Sequence, residues 1–256
     1  MIAYYCINRV CDTGRRVAME AEARREGLEL TFVPAIEGAT VDYDDPKLGY
    51  NRRGRLRAFA DMGRGEIAIV CSQRRVLEQF LAGTAECAVV LEDDAKLADG
   101  FVRIVEQVVR RSHGWHLLRL ERRGARRGYT IGRVGKGVEL YAPLDAELGF
   151  VGVLYSREGA RIAHRALQRF MRPLDEHLAL FWRWGLRVVE LDPPIVQLDE
   201  TCCTTVPQRG GRRRRGFRAW LWTRPIKVHG VAKRLQAFCT SRSVRVLQIP
   251  SEQVRT

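Results

Sequence analysis

The chain has 256 residues, of which 46% are hydrophobic and 29% charged, with a formal net charge of +14. This apolar content fills a sizeable core and excludes a disordered chain, and the length exceeds the ~100–200 residues usual for one domain, which leaves room for an appendage. The charge divides unevenly: residues 1–200 carry 31 Lys+Arg against 29 Asp+Glu, and residues 201–256 carry 13 against the single acid Glu252, so +12 of the +14 belongs to the last fifth.

The opening "MIAYYCINRV" lacks a basic leader, and Arg9 cuts its apolar run well short of a membrane span of ~20 residues, so a cytoplasmic protein is expected. "IAYYCIN" (2–8) reads as the first strand. Asp12 or Thr13 can cap a helix that stops at Gly27, and "LELTFVPAI" follows as a second strand. The polar stretch "EGATVDYDDPKLGYNRRGR" reads as a long loop. The next segment places Ile67, Val70, Cys71, Leu77 and Leu81 on one helical face and leads into "AECAVVLEDDAKLADGF" (85–101).

In that stretch a continuously apolar run, Cys87 to Leu91, suits a strand covered on both faces and ends in Glu92, Asp93 and Asp94. Sheets with parallel strands bind ligands at the carboxyl ends of those strands. Three carboxylates together resist ionising without a counter-charge, and oxygen ligands suit Mg²⁺ or Mn²⁺ bridging to phosphates. The acids therefore mark either a metal-diphosphate site or a solvated loop in which Asp94 or Asp99 caps the helix around Phe101, Ile104, Val105 and Val108.

Beyond it come a helix near 99–112, a strand "HLLRL", a hairpin 129–143 turning at Gly135–Gly137 and an apolar strand "LGFVGVLYS". A helix from Arg157 to Phe170 and another after Pro173, "DEHLALFWRW", complete an α/β pattern. Seven cysteines, at 6, 11, 71, 87, 202, 203 and 239, form an odd set without CxxC pairs and read as free thiols. Histidines 113, 116, 164, 177 and 229 show no metal-ligand spacing and read as structural.

Several ordered motifs together resemble the bacterial lipopolysaccharide glycosyltransferases of family 25, over roughly residues 2–200. They are Ile7-Asn8 with Arg15, Arg16 and Met19; "VPAIEG"; Gly65-Glu66-Ile67 with Ser72; Val90-Leu91-Glu92-Asp93-Asp94; "LGFVGVLYSREGAR"; "RPLDEHL"; and "PPIVQ". The chain departs from the family pattern at Gln73, where a His is usual, and at Arg9-Val10, where an acid often follows. Gln73 keeps hydrogen bonding but excludes proton transfer there.

The resemblance implies a GT-A-like, Rossmann-like mixed sheet flanked by helices in residues 1–200, to which the charge count adds a basic amphipathic tail in 201–256. It implies a galactosyltransferase-like activity that uses a UDP-sugar, with Asn8, Arg15, Arg16, Glu66, Ser72, Gln73 and Asp93 as donor-binding residues and Glu92 and Asp94 holding Mn²⁺ or Mg²⁺. Arg15 and Arg16 open the helix after the first strand, where guanidinium and helix amides meet a diphosphate, although either can be a solvated surface arginine. Glu66 either binds sugar hydroxyls or favours its helix dipole. Asp175, in the position of the family's Pro-x-Asp, is the expected base of an inverting transfer, with helix capping as the rival role and Glu176 and Glu147 as substitutes. The expected acceptor is a lipid-linked oligosaccharide at the inner membrane.

The tail mixes arginines with Phe217, Trp220, Leu221 and Trp222, then sets Val228, Val231, Leu235 and Phe238 at helical spacing. An anionic membrane surface fits both features best, giving peripheral attachment. The alternatives are a stripe packed on the core and, last, nucleic acid, which would make the chain a basic binding protein rather than an enzyme.

Overall fold

A computed structural model describes residues 1–57, 59–122, 124–135, 137–144, 149–199 and 226–247, the side chains of 226–229 excepted. Strand β1 (Ile2–Asn8) pairs in parallel with β2 (Thr31–Pro34) on one side and with β3 (Cys87–Glu92) on the other. The expected second strand is therefore real but confined to four residues. Helix α1 (Thr13–Glu26) links β1 to β2 and ends at Gly27, whose left-handed φ of 66° makes it a good stop.

The polar stretch after β2 is structured in short pieces: turns at Gly38–Thr40 and Pro46–Leu48, then α2 (Arg52–Leu56). Helix α3 (Arg64–Ala82) buries Ile67, Val70, Cys71 and Leu77, as its spacing predicts, and leaves Leu81 partly buried. After β3 the chain forms β4 (Ala95–Leu97), α4 (Phe101–Arg111), β5 (Ser112–His113) and β6 (Leu117–Arg119). Neither Asp94 nor Asp99 caps α4. Gly100, at φ 72°, enters that helix, and the exposed Asp99 pairs with Arg25.

The hairpin is β7 (Gly128–Gly135) and β8 (Val138–Pro143), followed by β9 (Gly152–Ser156) and α5 (Arg157–Leu167). The single helix expected after Pro173 is two, α6 (Leu174–Leu178) and α7 (Phe181–Trp184). The break has a local cause: the His177 carbonyl accepts from Trp184 Nε1 at 3.0 Å and from the Leu180 amide at 3.3 Å, which draws it out of a continuing ladder. Then come β10 (Val188–Asp192) and β11 (Val196–Leu198), and, after residues outside the described set, α8 (Ile226–Ser243) and β12 (Arg245–Val246).

Eight strands form one mixed sheet in the order β2-β1-β3-β9-β6-β10-β8-β7. Strand β9 runs antiparallel to both β3 and β6, and β10 is parallel to β6, so β2, β1, β3, β6 and β10 all point the same way. Their carboxyl ends share one edge. Helices α3, α5, α6 and α7 cover one face of the sheet through Val70, Phe80, Ala163 and Phe181, and α1 and α4 cover the other through Met19, Phe101 and Val105. Helices on both faces explain why β3 is apolar throughout rather than alternating. Cys6, Cys71 and Cys87 are buried free thiols, Cys11 and Cys239 exposed ones, and Cys202 and Cys203 lie outside the described residues.

One contact fixes how α5 sits on the sheet. Ser156 donates its amide to the His116 carbonyl at 3.1 Å, and its Oγ caps the helix by accepting from the Gly159 amide at 3.1 Å. A Cβ on Gly159 would lie 1.8 Å from the His116 carbonyl oxygen, so only glycine fits. Gly159→Ala should destabilise the protein by about 3 kcal/mol, as overpacking against backbone does, and lower Tm by roughly 5–10 °C. A thermal melt that leaves Tm unchanged would contradict this packing.

Candidate functional site

At the carboxyl edge, Asn8 ends β1 and Asp93 follows β3, and both are buried. Asn8 Nδ2 donates to Asp93 Oδ2 at 2.9 Å, and Arg15 Nη1 donates to Asp93 Oδ1 at 2.8 Å and lies 3.7 Å from Asp94 Oδ2. The register brings this about, since Ile7 pairs with Glu92 and the next residues of the two strands meet. Arg15 is the third residue of α1, so the first turn of that helix brings its guanidinium to these carboxylates. The counter-charge that the acids require is thus supplied within the chain by Arg15.

The three acids do not act as one cluster. By the strand's alternation Glu92 falls on the α3 side with Ala88 and Val90, while Asp93 meets Asn8 on the α1 side. Among the described residues no group of three or more His, Cys, Asp or Glu side chains is gathered tightly enough to hold a metal ion. Asp93 has both oxygens engaged by Asn8 and Arg15, and Glu92 and Asp94 are the other two carboxylates at this strand end. Two carboxylates suffice for Mg²⁺ or Mn²⁺, which fill their remaining positions with water and phosphate oxygens. The acids also act on Cys6 beneath them: burial first, and then Asp93, Asp94 and Glu92, push its thiol well above its ordinary range.

The other sequence-derived candidates are placed differently. Arg16 lies on the exposed face of α1, paired with Glu20 at 3.0 Å and stacked 4.3 Å over the Phe32 ring, which is the surface alternative for this residue. Glu66 opens α3 beside the turn after β2, and its Oε2 accepts from the Gly63 amide at 2.8 Å, so it caps its own helix. Ser72 Oγ accepts from the Ile36 amide and donates to the Ala68 carbonyl, both at 2.8 Å, which ties the segment after β2 to α3. Gln73 Nε2 donates to the buried Tyr155 hydroxyl at 3.1 Å. Ser72 and Gln73 therefore satisfy the core rather than face the acids.

Asp175 is the second residue of α6, not its cap, and its Oδ1 accepts from the Glu176 amide at 2.8 Å. It is buried and lines a crevice of about 10 Å³, the room of one water, with Leu117, Arg119, Phe150, Leu178 and Val188. This crevice adjoins the acidic strand end, because the Glu92 amide donates to the Val151 carbonyl at 2.9 Å and Phe150 is the next residue. Of the substitutes for Asp175, Glu176 pairs with Arg172 at 3.8 Å and Glu147 lies outside the described residues. His116 and His177 are both buried. Nδ1 of His116 accepts from the Arg187 amide at 3.1 Å and His177 stacks 4.9 Å from Trp184, so both are structural.

A second network at the same edge escaped the sequence reading. Arg119, buried at the end of β6, lies 3.2 Å from Glu190 on β10 and 3.9 Å from Glu121. Glu190 also accepts from the Tyr141 hydroxyl, and burial followed by Glu190 pushes that phenol well above its ordinary range. Farther along, Asp192 accepts from Arg122 at 3.0 Å and Arg126 at 2.9 Å; burial raises its pKa, but these bonds outweigh it and hold the carboxyl below its usual range. The signal was present: "HLLRL" sets one charge and "VVELD" two in apolar strands, and buried charges need partners.

Comparison with known proteins agrees with this architecture. Residues 1–127 match the model of a family described as "Glycosyltransferase family 25 (LPS biosynthesis protein)". A protein of Aedes aegypti, "Glycosyltransferase 25 family member", is 29% identical over 189 residues, which is 70% of this chain and 30% of that protein. The chain thus spans under a third of the length of the curated relative it matches. The matched residues 1–127 contain the whole Asn8–Arg15–Asp93–Asp94 group, while Asp175, Glu190 and Asp192 lie beyond them.

The Arg119–Glu190 pair makes a prediction of its own. Arg119→Met leaves buried acids uncompensated and should cost about 3–5 kcal/mol, whereas Arg119→Met with Glu190→Gln should recover a substantial part of it. Denaturant unfolding of the single and double variants measures this, and additive losses would show that the two side chains are not coupled.

Proposed function

We propose that this chain, which over residues 1–127 belongs to glycosyltransferase family 25, transfers a hexose, galactose foremost, from a UDP-sugar to a lipid-linked oligosaccharide of lipopolysaccharide synthesis through a GT-A-like site at the carboxyl edge of its sheet. The observation that carries this reading is the Asn8–Asp93–Arg15 group, which sets a carboxylate, an amide and a guanidinium at adjacent strand ends beside a helix N-terminus. Open α/β sheets bind nucleotides in this position. On this reading Asp93 accepts from ribose hydroxyls while Asn8 and Arg15 keep it oriented and ionised. Arg15 and the first amides of α1 meet the diphosphate, whose negative charge grows as the sugar departs.

A divalent cation, Mn²⁺ or Mg²⁺, would act as a Lewis acid on the leaving diphosphate, and Glu92 and Asp94 are the residues that would hold it. Asp175 is the base of an inverting transfer. It takes the proton of the acceptor hydroxyl as that oxygen attacks the anomeric carbon, and it stands at the crevice beside Phe150. The buried Arg119–Glu190–Tyr141 network keeps that wall of the site fixed.

Donor turnover tests the reading. Purified full-length protein with Mn²⁺ should slowly release UDP from one UDP-sugar of a panel and not from the others, and no release from any of them would refute it. Asp94→Asn should leave the fold intact and lower metal-dependent UDP binding and turnover by roughly 10²-fold, as loss of a charge-stabilising cation would. Asp175→Asn should lower kcat by about 10²–10⁴-fold with donor affinity little changed, the pattern of a lost general base. A near-native rate in either variant removes that residue from its role.

A further inference from the structure

Helix α8 packs against β7, β8 and β10 and touches α7, yet the residues it buries are small or polar. Ala237 and Thr240 face inward, Val244 follows just beyond the helix, and the Gln236 amide donates to the Leu186 carbonyl at 3.2 Å. Its large apolar side chains, where described, are instead exposed. Val231 is 67% exposed, Leu235 61% and Phe238 44%, and their spacing of four and then three residues puts them in one line. Tyr129 joins the line by meeting the Phe238 ring edge-on at 6.0 Å. Leu247, 54% exposed, is a further large apolar side chain of the same chain segment. The stripe expected either to complete the core or to bind a surface is therefore not core, apart from Val228, whose side chain lies outside the described residues.

Cations accompany the stripe. Arg242 lies 5.3 Å over the Phe238 ring, Lys233 lies 5.2 Å over Trp182 of α7, and Arg234 and Arg245 are exposed. The segment 226–247 contains no acidic residue. We propose that this face of α8, with Tyr129 at its margin, lies in the headgroup region of an anionic lipid bilayer, with Val231, Leu235 and Phe238 entering the apolar boundary and the flanking Lys and Arg side chains on the lipid phosphates. Shape and charge both favour this occupant. A line of apolar side chains with a cationic rim is the pattern of an interfacial helix. A second copy of the chain would set cations against cations. A nucleic acid would find, among the described residues of this face, two aromatic rings packed edge-on against each other rather than open stacking faces. Among the described residues no helix is long and apolar enough to cross a membrane, so the attachment is to the surface. This inference stands apart from the glycosyl-transfer reading, since none of its residues belongs to the candidate site.

The test is co-sedimentation of the full chain with vesicles of phosphatidylcholine containing phosphatidylglycerol, beside vesicles of phosphatidylcholine alone. The intact protein should sediment with the anionic vesicles at ~0.1 M salt and be released at ~0.5 M. Replacing Val231, Leu235 and Phe238 together by Ser should weaken partitioning at least about tenfold, because their burial contributes apolar transfer energy. Tm should fall only slightly, since Val231 and Leu235 are largely exposed and Phe238 loses just its marginal contacts with Tyr129 and Arg242. The proposal is overturned if the intact chain stays in the supernatant or if the triple variant binds vesicles like the native protein. It is equally overturned if light scattering shows a dimer that the triple variant dissociates, or if single-stranded RNA displaces the protein from vesicles and its binding is lost in the same variant.

Discussion

Strand β3 is paired on both edges and covered on both faces, and much of the molecule follows from that constraint. A segment so enclosed admits only apolar side chains, and Cys87 to Leu91 comply. The charge that follows has nowhere to go but the carboxyl edge, where β1 and α1 must already provide compensation. Asn8 and Arg15 do so from the strand end and the first turn of the adjoining helix. The candidate site is thus the outlet of an enclosed strand rather than a feature added to its surface.

The same reasoning accounts for the second network. The strands β6 and β10 are as enclosed as β3, yet β6 ends in Arg119 and β10 carries Glu190 within it, and the parallel register sets these two residues opposite each other. Arg119 and Glu190 therefore meet, and a buried pair of this kind is costly to break though not a large net source of stability. Tyr141, opposite Glu190 on β8, completes the hydrogen bonding of the carboxylate. What results is a row of oriented polar groups along one edge, from Asn8 to Asp192, with the Asp175 crevice opening into its middle from the α6 side. Fixed dipoles at a sheet edge are what a reaction that develops negative charge requires.

At the far edge of the sheet, α8 answers a different demand. Its buried side chains, Ala237 and Thr240, are small, while Phe238 reaches Tyr129 of β7 at the margin of the contact. Val231, Leu235 and part of Phe238 are left outside in company with cations, which is the observation behind the proposed membrane face. The basic character of residues 201–256 and the exposed line of α8 then have a common explanation at an anionic surface.

The sequence by itself determined the alternation of strands and helices, the extent of β1 and β3, the stop of α1 at Gly27 and the hairpin. These depend on local periodicity and on glycine's access to positive φ, and both can be read along the chain. It also singled out Asn8, Arg15 and Asp93 through ordered motifs, and these three side chains are in contact. Only the tertiary structure decided which cation the acids have, since Arg15 and Asp93 are 78 residues apart. It likewise turned Ser72 and Gln73 inward, made Glu66 a cap, set Arg16 on Phe32 and divided the helix after Pro173. The face that α8 turns to solvent was settled in the same way: helical spacing shows that Val231, Leu235 and Phe238 share a side, but only packing against β7, β8 and β10 decides which side is covered. Spacing specifies which side chains point together. What they point at depends on long-range contacts that no window of sequence contains.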